Sequence, residues 1–424
     1  MVDPETRRSQ MGLGLQEDVG IPVAPDTGFV VETAPTKEPT TPGEWIRVNL
    51  FSGPFNSILT VLSSAFVIFI VYKALRFVFV TSEWAVLQAN MRGYMVGRFP
   101  LEETWRVWAC LYLGLVLAGL SLGASRITWR VTPRRVVLAA VIGLAGLGLF
   151  FFLVQTGLVR LLGLGALAAL AVAFAGGRAL RGRIPRRPLF IAWLLVFPVM
   201  MVIIRGFDGV PPDDWGGFFF NLTAATVGIF ASFPIGIALA LGRRSELPAA
   251  RLISVVVIEL FRGVPLVGWL IFSKFVVDLL LPPQWDLPDI IKAFIAMTMF
   301  SSAYVAEIVR GGLQGVHEGQ FEASRAIGLS TPRMMAFVVL PQALRSTIPA
   351  MISHFISLFK DTSLFVAIEV TDLLAAAFRS AASIEFLQTE AQTLALAALL
   401  FWSVAFSMSR WSQRLELRLG VGER

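Results

Sequence analysis

Long apolar stretches recur along the chain, and short segments rich in polar and charged residues separate them. A helix that crosses the hydrocarbon core of a bilayer needs about 20 mostly apolar residues. The pattern predicts ten such helices, over 56–80, 105–123, 136–156, 158–175, 189–205, 217–241, 251–275, 289–309, 343–360 and 391–409. The boundary near 156–160 is the least defined, because the fourth stretch is short and rich in glycine. The predicted fold class is all-α, a polytopic transmembrane helical bundle.

Composition supports lipid as the solvent of these helices. Apolar residues make up 56% of the chain and charged residues 15%, whereas a soluble domain has about 25% charged residues. The mean hydropathy of +0.71 indicates more apolar surface than a globular core could bury. The net charge of +7 comes largely from arginines clustered between apolar runs. Such clusters favour membrane orientation signals over nucleic-acid binding, so no nucleic-acid partner is expected.

The arginines also predict an orientation. With the N-terminus placed in the cytoplasm, alternate loops carry most of the basic residues. These are Arg126, Arg130, Arg134 and Arg135, then Arg178, Arg181, Arg183, Arg186 and Arg187, then Arg243, Arg244 and Arg251. The opposite loops carry few, and 206–216 holds Asp208, Asp213 and Asp214 instead. Because cytoplasmic loops are enriched in Lys and Arg, both termini are predicted to be cytoplasmic.

The chain divides into segments of different character. Residues 1–50 are polar and rich in proline, lack the apolar core of a signal peptide, and are expected to form a flexible cytoplasmic tail. Residues 51–205 hold five accessory transmembrane helices. Over 206–415 the helices carry embedded charges and prolines. Residues 411–424 are predicted to be a cytoplasmic C-terminal tail.

The segment 310–345 between the eighth and ninth predicted spans has the clearest local pattern. Glu318–Ile327 favours a helix, and Gly328 can supply the left-handed stop that often follows one. A second helix follows, with Pro332 at its first position, where a missing N–H costs nothing. Pro341 is expected to end or kink that helix. The result is a stiff helical elbow at the membrane surface.

Six residues in this elbow carry a family resemblance. They are Glu322, Ala323, Ser324, Gly328, Leu340 and Pro341. Their spacing closely resembles the signature loop of bacterial ABC importer permeases, whose members usually show Glu-Ala-Ala, a Gly four residues later, and Ile-x-Leu-Pro after nine more. The chain departs from this pattern at Ser324 and Val338, which preserve small size and β-branching respectively. In that family the loop's helix docks in a cleft on the ATPase subunit.

Further segments narrow the resemblance. Five segments resemble the polar amino-acid branch of these permeases. They are 216–223, 242–245, 258–265, 304–313 and 360–364. This similarity covers 206–415 and implies an ABC permease transmembrane domain of the type I importer fold. The five preceding spans and Asn49–Pro54 resemble the larger permease of the general L-amino-acid transport system of Gram-negative bacteria.

The resemblance implies a transmembrane permease subunit of an ATP-driven importer in the bacterial inner membrane, which translocates amino acids from periplasm to cytoplasm. It also implies its partners: two copies of an ABC ATPase, a second permease and a periplasmic amino-acid-binding protein. The alternative is an ion-coupled secondary amino-acid transporter. That class often has duplicated halves, and no internal repeat is visible here.

The sequence predicts no cofactor bound by this chain. No Gly-Lys dipeptide occurs, so a Walker A phosphate loop is missing. The resemblance therefore assigns ATP–Mg and its hydrolysis to the partner ATPase, and this chain is not expected to be an enzyme. Cys110, His317 and His354 lie far apart without further ligands at suitable spacing, so no metal site is predicted.

A group of polar residues falls in or at the ends of the predicted spans: Glu259, Arg262, Glu307, Lys360, Asp361 and Thr362. A charge at the centre of a spanning helix costs about 2.5–3.5 kcal/mol on insertion scales, so these groups should pair or face water. Glu259 and Arg262 can pair on one helical face. Two interpretations stay open: pairing that holds helices together, or a lining of the substrate pathway. Pro234, Pro265 and Pro349 predict kinks in or near spans.

Overall fold

A computed structural model describes residues 41–125, 146–280, 282, 284 and 287–419 of the 424-residue chain, and the described elements are helical. In chain order the labelled helices are α1 (Pro42–Leu50), α2 (Pro54–Arg76), α3 (Ala85–Val96), α4 (Thr104–Ala124), α5 (Gly157–Ala179), α6 (Arg186–Arg205), α7 (Gly217–Arg243), α8 (Pro248–Gly263), α9 (Leu266–Phe275), α10 (Val277–Leu280), α11 (Asp289–Gln314), α12 (Glu318–Ala326), α13 (Thr331–Met334), α14 (Leu340–Asp361), α15 (Leu373–Ala381) and α16 (Glu390–Leu419). A further helical stretch covers 146–153.

Eight helices in the described part of the chain are long and apolar enough to cross a membrane, or nine if one bent pair is counted as a span. They lie where the sequence predicts spans. The first part of the third predicted span, 136–145, lies outside the described residues, and the rest of it contains the helical stretch over 146–153. The all-helical, many-spanning prediction is confirmed.

The predicted span over 251–275 is wrong as a single helix. It consists of α8 and α9, which are bent by 101° at their junction. Val264 has extended backbone angles, φ −119° and ψ 136°, and Pro265 precedes the first residue of α9. A residue before proline is pushed out of the α region by the pyrrolidine ring, which explains the break. Pro234 and Pro349, in contrast, lie inside the helices α7 and α14.

Both predicted tails contain helix. Residues 42–50, assigned to a flexible tail, form α1, where the Thr41 hydroxyl accepts a hydrogen bond from the Glu44 backbone N–H. This N-cap and the proline in the first turn explain the helix. In the predicted C-terminal tail, 411–424, α16 continues through Leu419. No helix breaker interrupts that stretch before Gly420.

The chain forms two compact units, residues 1–81 and 82–424. In the first, α2 exposes all its apolar side chains and passes directly into a π-helical turn over Phe77–Thr81. In the second, α11 is the most buried span, and it packs on α7, α8, α9 and α14. Small residues bring the helices together: a β-carbon at Gly236 of α7 would lie 2.5 Å from a methyl of Val305 on α11. Close backbone approach at small residues is a principal source of helix association in lipid.

Candidate functional site

The coupling segment, residues 315–330, lies between α11 and α13 and contains α12. At its start the His317 Nδ1 atom accepts a hydrogen bond of 3.1 Å from the Gly319 N–H and caps the helix. The predicted helix over 318–327 is confirmed by α12. Gly328 follows with φ +79°, in the left-handed region that favours glycine. The turn is therefore short and defined by its own residues.

The predicted loop over 310–345 is longer than the observed one. Helix α11 continues to Gln314, and α13 begins at Thr331, so that Pro332 is second in that helix rather than first. The predicted span ended at 309, and the predicted loop began at Arg310, directly before two glycines. A β-carbon at Gly312 would lie 2.5 Å from the Thr347 methyl. Glycine here allows α11 to continue in close contact with α14.

Pro341 does not end the helical stretch that contains it. The chain stays helical from Thr331 to Ile368, through a π-helical turn over Met335–Val339 and a 3₁₀ segment over Thr362–Ile368. Proline removes a hydrogen bond to the residue four positions earlier and clashes with that carbonyl. The wider π turn lies directly before Pro341, where it relieves this clash. The elbow and the following span are thus one continuous rod.

The inner face of α12 is attached to this rod and to α7. Ser324 is only 3% exposed, and its hydroxyl donates to the Gln320 carbonyl oxygen at 2.6 Å. The Gln342 side chain at the start of α14 donates to the Gln320 side chain at 3.0 Å. From the end of α7, the Arg244 guanidinium lies 5.9 Å from the Phe321 ring centre. Helix α12 therefore contacts both α14 and the end of α7.

The outer face of α12 points to solvent. Glu322 and Ala323 are exposed, and so is Ile327, of which 76% is accessible. Among the other residues of the predicted signature, Leu340 is half-buried and Pro341 is exposed. The coupling segment thus combines a fixed inner face with an open outer face.

Five charged side chains form a charge cluster where the ends of α7, α8 and α11 meet. They are Arg243, Glu259, Arg262, Glu307 and Arg310. The Glu307 carboxylate lies at the centre, 2.7 Å from Arg243, 2.9 Å from Arg310 and 3.7 Å from Arg262. Three arginines around one carboxylate connect three helices electrostatically.

The predicted pairing of Glu259 with Arg262 is not the one observed. Glu259 pairs with Arg243 at 3.1 Å, and Arg262 lies near Glu307 and over the Tyr304 ring. The two residues share α8, but partners from neighbouring helices lie closer to each. Sequence reasoning placed Arg243 among the orientation signals and in the family-like segment 242–245, but did not pair it with a carboxylate.

Lys360, Asp361 and Thr362 lie at the other end of α14, about 33 Å along the helix axis from its start. Lys360 is exposed and Asp361 half-buried, and within the described residues neither forms an ion pair. Thr362 is fully buried, and its hydroxyl donates to the Phe359 carbonyl at 2.7 Å. The structure therefore divides the predicted polar group between two ends of the bundle.

A buried network at that second end was not predicted. The Asn221 amide donates to the Thr362 hydroxyl at 3.1 Å and to Asp372 at 3.4 Å, and its oxygen accepts from the Leu373 N–H at 3.0 Å. Asp372 caps α15 by accepting from the Ala375 N–H at 2.8 Å. Burial raises the pKa of Asp372 to about 6, against the hydrogen bonds that lower it. The only sequence signal was an Asp before a helix-forming run.

Together, the long apolar helices define a multi-pass membrane protein, and α12 is a short helix with an exposed face between two of its spans. Residues 232–421 match the family described as binding-protein-dependent transport system inner membrane component. The chain is 33% identical to the inner membrane amino-acid ABC transporter permease protein YhdY of Escherichia coli, over 89% of this chain and 93% of that protein. It is 30% identical to the glutamate/glutamine/aspartate/asparagine transport system permease protein BztC of Rhodobacter capsulatus, with the same coverage.

A solved structure described as an amino acid ABC transporter with histidines is 27% identical, over 48% of this chain and 92% of that chain, with a TM-score of 0.43. The similarity to YhdY and BztC spans almost the whole chain. The protein belongs to the amino-acid ABC transporter permeases. It is therefore an inner-membrane permease subunit without catalytic activity of its own, and it works with a separate ATPase and a binding protein. Family membership decides against the ion-coupled alternative.

Proposed function

We propose that this chain forms half of an amino-acid pathway and that a second, similar permease forms the other half. Two copies of the ATPase bind on the side of the coupling segment and hold ATP–Mg. Both termini are cytoplasmic, and a periplasmic amino-acid-binding protein delivers substrate to the opposite side. YhdY is an amino-acid ABC transporter permease and BztC belongs to a glutamate/glutamine/aspartate/asparagine transport system, which supports amino acids as the substrate class.

The observation that carries this proposal is the two-faced geometry of α12. Its outer face exposes Glu322 and Ala323, whereas Ser324 is buried. Closure of the ATPase dimer would push on the outer face. The push then reaches α14 through Gln342 and α7 through Arg244. Because helices of this length move as rigid rods, the spans change their relative orientation.

The charge cluster has a defined place in this mechanism. Arg243 and Arg244 are consecutive at the end of α7, and the first contacts Glu307 while the second contacts Phe321. A displacement of α12 therefore acts directly on the junction of α7, α8 and α11. We assign Glu259, Arg262 and Glu307 to this junction. Lys360 and Asp361 lie at the other end, where solute enters the proposed pathway.

Charge reversal at the outer face of α12 tests the proposal. In proteoliposomes with the binding protein and ATP, Glu322→Lys should abolish uptake and reduce ATPase co-purification, while membrane insertion stays normal. Glu246→Lys is the matched control, since Glu246 is also exposed and lies between α7 and α8. Normal uptake and normal ATPase association in Glu322→Lys would contradict the proposal.

A crosslinking experiment tests the docking side independently. In a chain whose buried Cys110 is replaced by Ala, Ala323→Cys should crosslink to the ATPase in native vesicles. Asp208→Cys, between α6 and α7, should not. Competition of uptake by the common amino acids then tests the substrate class, and a pull-down of the intact complex tests the second permease. Failure of Ala323→Cys to capture an ATP-binding subunit would overturn the docking assignment.

A further inference from the structure

A second polar site lies far from the coupling segment, in a cleft between α3 and α15. This arginine cleft has a volume of about 220 Å³ and is lined by Arg98 and Arg379 with Asn90, Tyr94, Thr371 and Ser380. The length of α7 gives the distance between this cleft and the charge cluster near the coupling segment. This helix begins at Gly217, whose N–H donates to the Thr371 carbonyl at 2.8 Å, and it ends at Arg243 in the charge cluster. The 27 residues of α7 span roughly 40 Å at 1.5 Å per residue.

The two arginines of the cleft are exposed and are not paired with a carboxylate at salt-bridge distance among the described residues. The three arginines of the charge cluster, in contrast, all form salt bridges. The Arg379 Nε atom makes one long hydrogen bond, 3.4 Å, to a carbonyl oxygen of its own helix. Burial lowers the pKa of the Arg379 guanidinium and the neighbouring positive charge of Arg98 lowers it further, while the Asp372 carboxylate opposes them more weakly. An anion in the cleft would relieve this repulsion.

The backbone around the cleft holds these groups in position. Gly97 has φ +63°, and a β-carbon there would lie 2.5 Å from the Gly216 Cα atom. This left-handed residue ends α3 and orients the chain at Arg98. Below it, the buried Tyr94 hydroxyl lies 2.6 Å from the Ser380 hydroxyl and joins α3 to α15. Residues of two helices, joined by this hydrogen bond, therefore share the lining of the cleft.

The lining indicates the chemistry of the ligand. Guanidinium groups form parallel, charge-assisted hydrogen bonds with planar carboxylates and with phosphates. Apart from Ala376, the lining residues carry no aliphatic side chain that could hold an acyl chain. We propose that the arginine cleft binds the carboxylate or phosphate group of a small anion between the guanidinium groups of Arg98 and Arg379. That group belongs either to a free solute or to a lipid headgroup.

Binding measurements on the assembled transporter test this proposal. The complex is placed in nanodiscs of zwitterionic phosphatidylcholine, and calorimetry measures binding of L-glutamate and of inorganic phosphate. Native mass spectrometry measures retention of phosphatidylglycerol in a parallel sample. Arg98→Gln and Arg379→Gln should each weaken anion binding by about tenfold, because each removes charge-assisted hydrogen bonds. Arg181→Gln, an exposed arginine between α5 and α6, is the control and should leave binding unchanged.

A variant that fills the cleft separates binding from folding. Gly93 lines the cleft, and a β-carbon there meets no atom within 4 Å, so Gly93→Leu should fold and reduce binding with both arginines intact. Loss of glutamate or phosphate binding in these variants supports a free solute. Loss of phosphatidylglycerol retention supports a lipid headgroup. The proposal is overturned if no probe binds, or if every probe binds equally to the unmodified complex and to both arginine variants. It does not depend on the proposed coupling role of α12, which the Glu322→Lys variant tests separately.

Discussion

The Glu307 carboxylate lies 2.7 Å from the Arg243 guanidinium, and this pair joins α11 to α7 near the coupling segment. The same carboxylate also faces Arg262 and Arg310. Only 17% of the Glu307 side chain is exposed, compared with 56% of the Glu259 side chain. The two glutamates of the charge cluster should therefore contribute very differently to stability, because water screens an exposed pair much more strongly.

Neutral replacements measure this difference. Glu307→Gln should lower the stability of the solubilised complex by about 1 to 3 kcal/mol, since three arginines lose their shared anion. Glu259→Gln should cost less than about 1 kcal/mol. The melting temperatures of both variants are compared with that of the unmodified complex. Equal shifts would show that the cluster is not centred on Glu307. Altered amino-acid preference with unchanged melting would instead place Glu307 in the substrate pathway.

Replacement by alanine should have opposite effects on stability at two neighbouring glycines, Gly93 within α3 and Gly97 directly after it. Gly97→Ala should destabilise the complex by about 2 kcal/mol or more, because alanine is strained at positive φ and its methyl would collide with Gly216. Gly93→Ala is the matched control. It lies inside the helix with open space around it, so it should be neutral or stabilising by up to about 1 kcal/mol. Thermal unfolding followed by circular dichroism distinguishes the two, and similar melting temperatures would contradict the prediction.

The sequence alone predicted those parts of the fold that depend on interactions between residues close together in the chain. Hydrophobic runs predicted the long helices, and the helix and turn at Gly328 depend on residues next to each other in the chain. The break at Pro265 was underestimated, because a proline near the middle of an apolar run is compatible with either a kink or a break. The continuous rod through Pro341 was missed, since a π turn leaves no clear pattern in sequence.

The candidate site was less predictable because its parts are distant in sequence. Arg243 meets Glu307, 64 positions away, and Asn221 meets Asp372, 151 positions away. Pairing on one helix was the only geometry that sequence spacing could suggest for Glu259 and Arg262. The arginine cleft similarly depends on packing of α3 against α15, two short helices that the hydrophobic pattern did not predict.

The buried face of α12 predicts a size limit at Ser324. This residue is 3% exposed and its hydroxyl is bonded within its own helix. Ser324→Ala should retain transport, because the alanine fits the same space and removes only a local hydrogen bond. Ser324→Leu should separate α12 from the rod and reduce substrate-stimulated ATPase activity at least severalfold. Proteoliposome assays of both activities check this, and full activity of the leucine variant would contradict the packing described here.

The buried Asp372 carboxyl group predicts a pH dependence of the stability of the complex. Its pKa in the folded protein is raised to about 6 from 3.8, chiefly by burial. An acid whose pKa is raised by folding binds its proton more tightly in the folded state. Its contribution to the free energy of unfolding is therefore most favourable below about pH 4 and is lost as the pH rises to about 6. The loss is at most roughly 3 kcal/mol. Asp372→Asn keeps an acceptor for the Ala375 N–H but does not titrate.

The melting temperature of Asp372→Asn, relative to the unmodified complex, should therefore rise between pH 4 and pH 6.5 and then level off. The new amide adds an offset that is the same at every pH, so the change with pH isolates the carboxyl group. Asp208→Asn serves as the control, since Asp208 is exposed with φ 55°, a conformation that asparagine tolerates well. A difference between Asp372→Asn and the unmodified complex that is constant across this range would mean that the carboxyl group titrates normally and that water reaches the Asn221 network.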